Sequence, residues 1–203
     1  MNYITVGRFT LPADLLAAFA AIFIGAMIFR AKEKKSIGDW YWNSFFLYIA
    51  LYKLSYAVFN FKMFLDTPFS LLYFNGGTEG QILGYAGIAG YLFWIARKQE
   101  SIIKSTDYLH AYFLFFLLYW TGLFAFSENF IAAGVQVLLT LIYGAFYLQG
   151  RQLSKEYATF FLMLEALVLS LFSNLLSVEN LLIYALGIFL LVFQSFHKEE
   201  LQD

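Results

Sequence analysis

Two ionisable side chains lie inside otherwise apolar stretches of this 203-residue chain, Lys53 in LYKLSYAVF and Glu165 in FLMLEALVL. Ionisable groups at such positions are expensive to bury and are functional candidates by default. Lys53 offers a point charge for an anion such as a phosphate. Glu165 offers a carboxyl group for acid or base work, and Glu79 is a second candidate for that role. Asn75, Gly76 and Gly77 supply a backbone that turns with positive φ or lets a ligand approach closely. With the amides of Gln81 and Gln136, these residues outline a pocket in which Lys53, Asn75, Gly76, Gly77, Gln81 and Gln136 bind substrate while Glu165 and Glu79 act on it. Each residue also has a structural reading. A Lys53–Glu165 ion pair can fix helix packing, Lys53 can snorkel to the surface, and buried glutamines commonly join helices by hydrogen bonds.

The elements that must position these groups are membrane spans. The chain is 61% hydrophobic and only 13% charged, against about 25% charged in a soluble domain. Seven apolar runs are visible, at about 15–29, 40–61, 82–95, 108–126, 130–148, 157–176 and 181–196. A helix crossing a ~30 Å hydrocarbon core needs such a run, and the alternation that a membrane barrel requires is not visible. The expected fold is therefore all-α: one polytopic transmembrane domain of seven helices covering residues 1–203. The first run ends in Arg30, Lys32, Lys34 and Lys35 rather than in a cleavage site, so it reads as an uncleaved span.

Loop charges orient the spans. Arg30, Lys32, Lys34, Lys35, Arg97, Lys98, Lys104, Arg151, Lys155 and Lys198 fall on one side, with only Arg8 and Lys62 on the other. This positive-inside asymmetry puts the N-terminus outside, the C-terminus in the cytoplasm and the Asn75 region on the outer face. Trp40, Trp42 and Trp94 sit at the cytoplasmic boundary, as an aromatic belt does. The outer connection at 62–80 is too apolar for a solvated loop, so a short interfacial helix is expected there, with Pro68 in its first turn and Thr67 or Asp66 near its N-cap. Gly80, Gly84, Gly87 and Gly90 form a face for close helix packing. His110 is expected at the membrane boundary, and His197 carries no chemistry.

Several function classes drop out. The chain has no cysteine, which removes thiol chemistry and Cys-ligated metals. Two histidines make no metal site, and neither a metal nor a cofactor is expected. Phosphate-binding glycine loops, nucleophile elbows and zinc-protease helices are missing. The basic residues form a membrane rim and not a stripe for nucleic acid.

The stretch from Tyr52 to Lys98 resembles the bacterial prolipoprotein diacylglyceryl transferases. That family has a second span ending in Gly-x-Arg-x-Gly-Tyr-Val-x-Phe, a loop with Asp-Pro, a Gly-Gly-Met-Ser-Phe-His-Gly-Gly word opening the third span, and a cytoplasmic Ala-Arg-Arg. The words here are Tyr52-Lys53-Leu54-Ser55-Tyr56-Ala57-Val58-Phe59, Asp66-Thr67-Pro68, Phe74-Asn75-Gly76-Gly77-Thr78-Glu79-Gly80-Gln81, and Ala96-Arg97-Lys98. The family arginine falls on Lys53 and the family histidine on Gln81, while Gln136 resembles a glutamine opening the fifth span. A Gly-Arg-Gly-Asn block expected near Trp120-Thr121-Gly122 is not there.

The resemblance implies a bacterial plasma-membrane protein handling phospholipid at the outer leaflet, where the family moves a diacylglyceryl group from phosphatidylglycerol to a lipoprotein cysteine. An active member would be a diacylglyceryl or acyl transferase, with an anionic phospholipid and a lipoprotein precursor as partners. A glutamine in place of the histidine does not exchange a proton at accessible pH, and a lysine does not grip a phosphate bidentately. The alternative is a non-catalytic lipid-binding protein or a scaffold for a membrane partner. A small transporter has less behind it, since no inverted repeat is visible.

Overall fold

A computed structural model of the chain describes residues 3–6, 9–70, 76–98, 105–150 and 153–199. Each of the seven apolar runs lies largely within a helix. In chain order the described elements are β1 (Tyr3–Val6), β2 (Phe9–Pro12), α1 (Ala13–Glu33), α2 (Asp39–Phe59), α3 (Phe61–Asp66), α4 (Gly77–Lys98), α5 (Ser105–Phe126), α6 (Phe130–Leu148), α7 (Lys155–Phe172) and α8 (Val178–Glu199). The body is all helical. A short antiparallel hairpin, in register Tyr3↔Pro12 through Val6↔Phe9, precedes α1. The β-branched Ile4, Thr5, Val6 and Thr10 favour that extended backbone.

Among the described residues, three helical stretches are long and apolar enough to cross a membrane: Ala13–Glu33, Asp107–Phe126 and Phe130–Leu148. A shorter apolar stretch covers Val178–Phe193. Helices α2 and α4 are less apolar because α2 carries Asn43, Ser44, Lys53, Ser55 and several tyrosines, and α4 is interrupted by glycines. Phe23, Met27, Leu141, Met163 and Leu171 are all exposed. Apolar surface of that extent is what a lipid-facing helix presents, and a soluble monomer avoids it.

The chain forms two compact units. Unit one contains the hairpin, α1, α5, α6 and α7, with α8 from Leu190 onward; unit two contains α2, α3, α4 and the earlier part of α8. In unit one the central helix is α5, buried on nearly every face from Tyr108 through Trp120. Helix α1 lies against it through the small residues Ala13, Ala17, Ala21 and Gly25. Close approach is needed at Gly122, where a Cβ would stand 3.3 Å from that of Ala17. Asn129 caps α6 by accepting from Ala132 N–H, and Ser154 caps α7 by accepting from Tyr157 N–H.

In unit two, α2 and α4 run antiparallel. Asn43 donates to Tyr91 Oη at 3.0 Å near one end, and Gly76 N–H donates to Tyr52 O at 2.9 Å near the other. Between them Gly80, Gly84 and Gly87 face Tyr52, Tyr48 and Leu51. A Cβ on Gly84 would stand 2.6 Å from the Tyr48 ring, so glycine is what permits the approach. The expected glycine face therefore exists at these three positions, whereas nothing lies within 4 Å of a Cβ on Gly90. Thr67, expected near an N-cap, ends α3, its N–H bonding to Met63 O. It also accepts from Ser70 N–H at 2.9 Å, and the rest of the expected interfacial helix lies outside the described residues.

Candidate functional site

The most deeply placed polar groups of unit one share one face of α6. Gln136, Thr140, Tyr143 and Tyr147 follow at spacings of four, three and four residues, which stacks them along a single helix side. Each meets a polar group of another helix. Gln136 Nε2 donates to both carboxyl oxygens of Glu165 on α7, at 2.8 and 2.9 Å. One turn on, the hydroxyls of Thr140 and of Thr121 on α5 are 2.9 Å apart. Each threonine also lies 2.8 Å from a carbonyl one turn back, Gln136 O and Leu117 O respectively. Two hydroxyl protons serve these three contacts, so the threonine that bridges releases its own carbonyl.

The next turn brings Tyr143 Oη to 2.9 Å from His110 Nδ1 on α5. Tyr147 Oη then donates to Glu33 Oε1 at the end of α1, at 3.3 Å. The rings of His110 and Tyr147 lie with centroids 4.4 Å apart, and Lys32 Nζ stands 6.0 Å from the Tyr147 centroid. Lys35 and Asp107 complete this end as an ion pair at 2.9 Å. The seam thus joins amide, carboxyl, hydroxyl, phenol and imidazole groups, with Lys32, Glu33, Lys35 and Asp107 gathered near the α1 terminus. His110 is buried within the protein, where Tyr143 and Tyr147 of α6 pack on it.

The sequence-derived candidates divide between the units. Lys53 is half-buried on α2 and Gln81 half-buried on α4. Gly76 is buried against Ser55 and Tyr52, the turn of α2 that carries Lys53. Gly77 is exposed with φ +59°, a left-handed conformation that glycine adopts without steric cost. Asn75 lies outside the described residues. Glu79 is exposed in the first turn of α4. Gln136 and Glu165 are fully buried in unit one and bonded to each other. Glu165 was read as a partner for Lys53 and Gln136 as a neighbour of Gln81 and Glu79; within unit one they are each other's partners.

Sequence reasoning missed Thr121, Thr140, Tyr143, Tyr147 and Glu33 as members of a polar seam. The signal was present in the four-three-four spacing on α6, hidden because threonine and tyrosine are common in spans. Unit one thus buries a carboxyl–amide pair, while in unit two Gly76 packs on the turn of α2 that carries Lys53. The chain matches no family model, and comparison with curated proteins and with solved structures returns no match.

Proposed function

We propose that this chain is a multi-pass membrane protein related in architecture to the prolipoprotein diacylglyceryl transferases, which holds an anionic phospholipid at the outer leaflet without the parent chemistry. Under this reading it spans the bacterial plasma membrane seven times, with its N-terminus outside and its C-terminus in the cytoplasm. Three apolar helices, exposed apolar faces and the one-sided distribution of Lys and Arg support a membrane location.

The observation that carries the lipid reading is the Gly76 N–H to Tyr52 O bond, 2.9 Å long. It seats Gly76 on the α2 turn that bears Lys53, so the lysine and the exposed Gly77 lie toward one end of one helix pair. Gln81 in place of the histidine, the missing arginine block and the exposed Glu79 favour binding over group transfer. A lipoprotein signal segment or a membrane partner would meet the same end of the pair.

Native mass spectrometry of detergent-purified protein with mixed phospholipids tests this, comparing wild type with Lys53→Met. Selective retention of an anionic lipid by wild type, lost in the variant, is expected. Indifference to head group in both proteins overturns the reading, as does selectivity that survives the substitution.

A further inference from the structure

The Gln136–Glu165 contact contains an imbalance. One amide nitrogen serves both carboxyl oxygens at 2.8 and 2.9 Å, while Gln136 Oε1 is buried with no hydrogen-bond donor among the described residues. An ionised carboxylate here would set a full charge in the bundle interior against a single neutral amide, an arrangement that desolvation strongly disfavours. The orphaned amide oxygen adds a further desolvation cost.

One proton removes the charge and gives the amide oxygen a donor. With the carboxyl neutral and the amide turned half a revolution about its terminal bond, Gln136 Oε1 takes the place of Nε2, 2.8 and 2.9 Å from the two Glu165 oxygens, and accepts from Glu165 O–H. The exchange swaps two amide atoms of nearly equal size and leaves the outline of the pair unchanged. We infer that Glu165 and Gln136 form a proton-binding site in the interior of unit one, with the carboxyl held as a neutral acid by the amide. This inference does not depend on the lipid reading.

Among the described residues of unit one, the helices that carry the pair and its neighbours have few other charges, all toward their ends. Helix α6 has no charged residue, and α5 has none between His110 and Glu128. From α6 the polar groups nearest in sequence are the Gln136 amide and the Thr140 hydroxyl, with Thr121 on α5 bonded to Thr140. On α7 the other charges are Lys155 and Glu156 at the start of the helix. On α1 they are Asp14 in the first turn and the Arg30–Glu33 cluster at the end. Tyr143 lies two turns along the seam and already bonds His110. Release breaks the Glu165 O–H bond and passes the proton to a water molecule. It leaves an anion that needs the amide turned back and a donor in place of the lost proton, so unloading is coupled to α6–α7 packing.

Infrared difference spectroscopy on the whole protein in lipid, titrated with acid and base, reads this directly. At neutral pH the carbonyl band of a protonated carboxyl is expected in wild type, lost in Glu165→Gln, and displaced in Gln136→Leu, which keeps the carboxyl but removes its partner. If Glu165→Gln does not insert, the displacement in Gln136→Leu assigns the band. Absence of the band from wild type at neutral pH overturns the site, as does a band unmoved by Gln136→Leu. A band that appears only in Lys53→Met also overturns it, because Glu165 would then be the ionised half of a pair.

Discussion

The α2–α4 pair of unit two and the α5–α6–α7 group of unit one hold helices together by opposite means. Lipid gives apolar helices little hydrophobic reason to associate, so backbone approach and polar contacts must supply the affinity. Unit two uses the first: Gly76, Gly80, Gly84 and Gly87 leave room for Ser55, Tyr52, Tyr48 and Leu51. Unit one uses the second, with cross-helix bonds from successive turns of α6. A glycine seam is intolerant of added volume and indifferent to protons. A polar seam tolerates isosteric change but responds to the loss of one hydrogen. The difference sets a close-packed glycine clasp in unit two, on the helix that bears Lys53, against a hydrogen-bonded polar interior in unit one that holds Glu165.

The sharpest break of this comparison is Gly84→Val. Its side chain must enter the space of the Tyr48 ring, and overpacking of this kind costs about 3 kcal/mol where the backbone cannot yield. Thermal unfolding in detergent should show a large loss, with unit two opening first by limited proteolysis. Gly90→Ala, where nothing lies within 4 Å, should match or exceed wild type by up to about 1 kcal/mol through helix propensity. Equal effects of the two substitutions would mean that glycine packing does not hold α2 to α4.

Glu165→Ala comes next. It removes a fully buried side chain and strands the Gln136 amide, a combined loss of about 2–4 kcal/mol. Glu165→Gln keeps volume and a neutral hydrogen-bonding partner, so its cost should stay within about 1 kcal/mol. The gap between the two variants in chemical or thermal denaturation measures how far unit one depends on the pair and how little on a charge. A Gln variant as damaged as the Ala variant would show that an ionised carboxylate is required.

What the sequence disclosed follows the same division. Helices were legible because each apolar run is long, and Gly80, Gly84 and Gly87 were legible because four- and three-residue spacing fixes a helix face. The hairpin at Tyr3–Pro12 was not anticipated, since two strands of four residues leave little pattern. Gln136 and Glu165 were found from their cost in an apolar stretch. Their pairing was not, because which polar groups meet depends on the order of helices around the bundle, and spacing along one helix does not encode that order. The burial of His110 was not legible either, since it comes from Tyr143 and Tyr147 some 33 and 37 positions later.

Tyr143→Phe removes a single oxygen from the middle of the polar seam. The His110–Tyr143 bond is buried and 2.9 Å long, and a bond of this kind contributes about 1 kcal/mol. Tyr147→Phe loses a 3.3 Å contact to the partly exposed Glu33 and should cost less, about 0.5 kcal/mol. Denaturation of both variants under one set of conditions checks the order. A reversed order would place the strength of the seam at its charged end and not in its interior.

The smallest expected effect lies at that charged end. Lys35 has a side chain 50% exposed, while that of its partner Asp107 is 11% exposed, and pairs open to solvent contribute about 0–1 kcal/mol. Asp107 sits in the first turn of α5, where the helix terminus favours a negative charge by about 0.3–1 kcal/mol whether or not the lysine is present. Lys35→Met should therefore cost under about 0.5 kcal/mol and less still at high salt, where exposed charges are screened. Asp107→Asn loses both the lysine and the helix terminus and should cost about 1 kcal/mol. A double-mutant cycle separates the two contributions. If Lys35→Met alone reproduced the whole cost of Asp107→Asn, the ion pair would lock α1 to α5, and unit one would owe its cohesion to a charged clamp as well as to its polar seam.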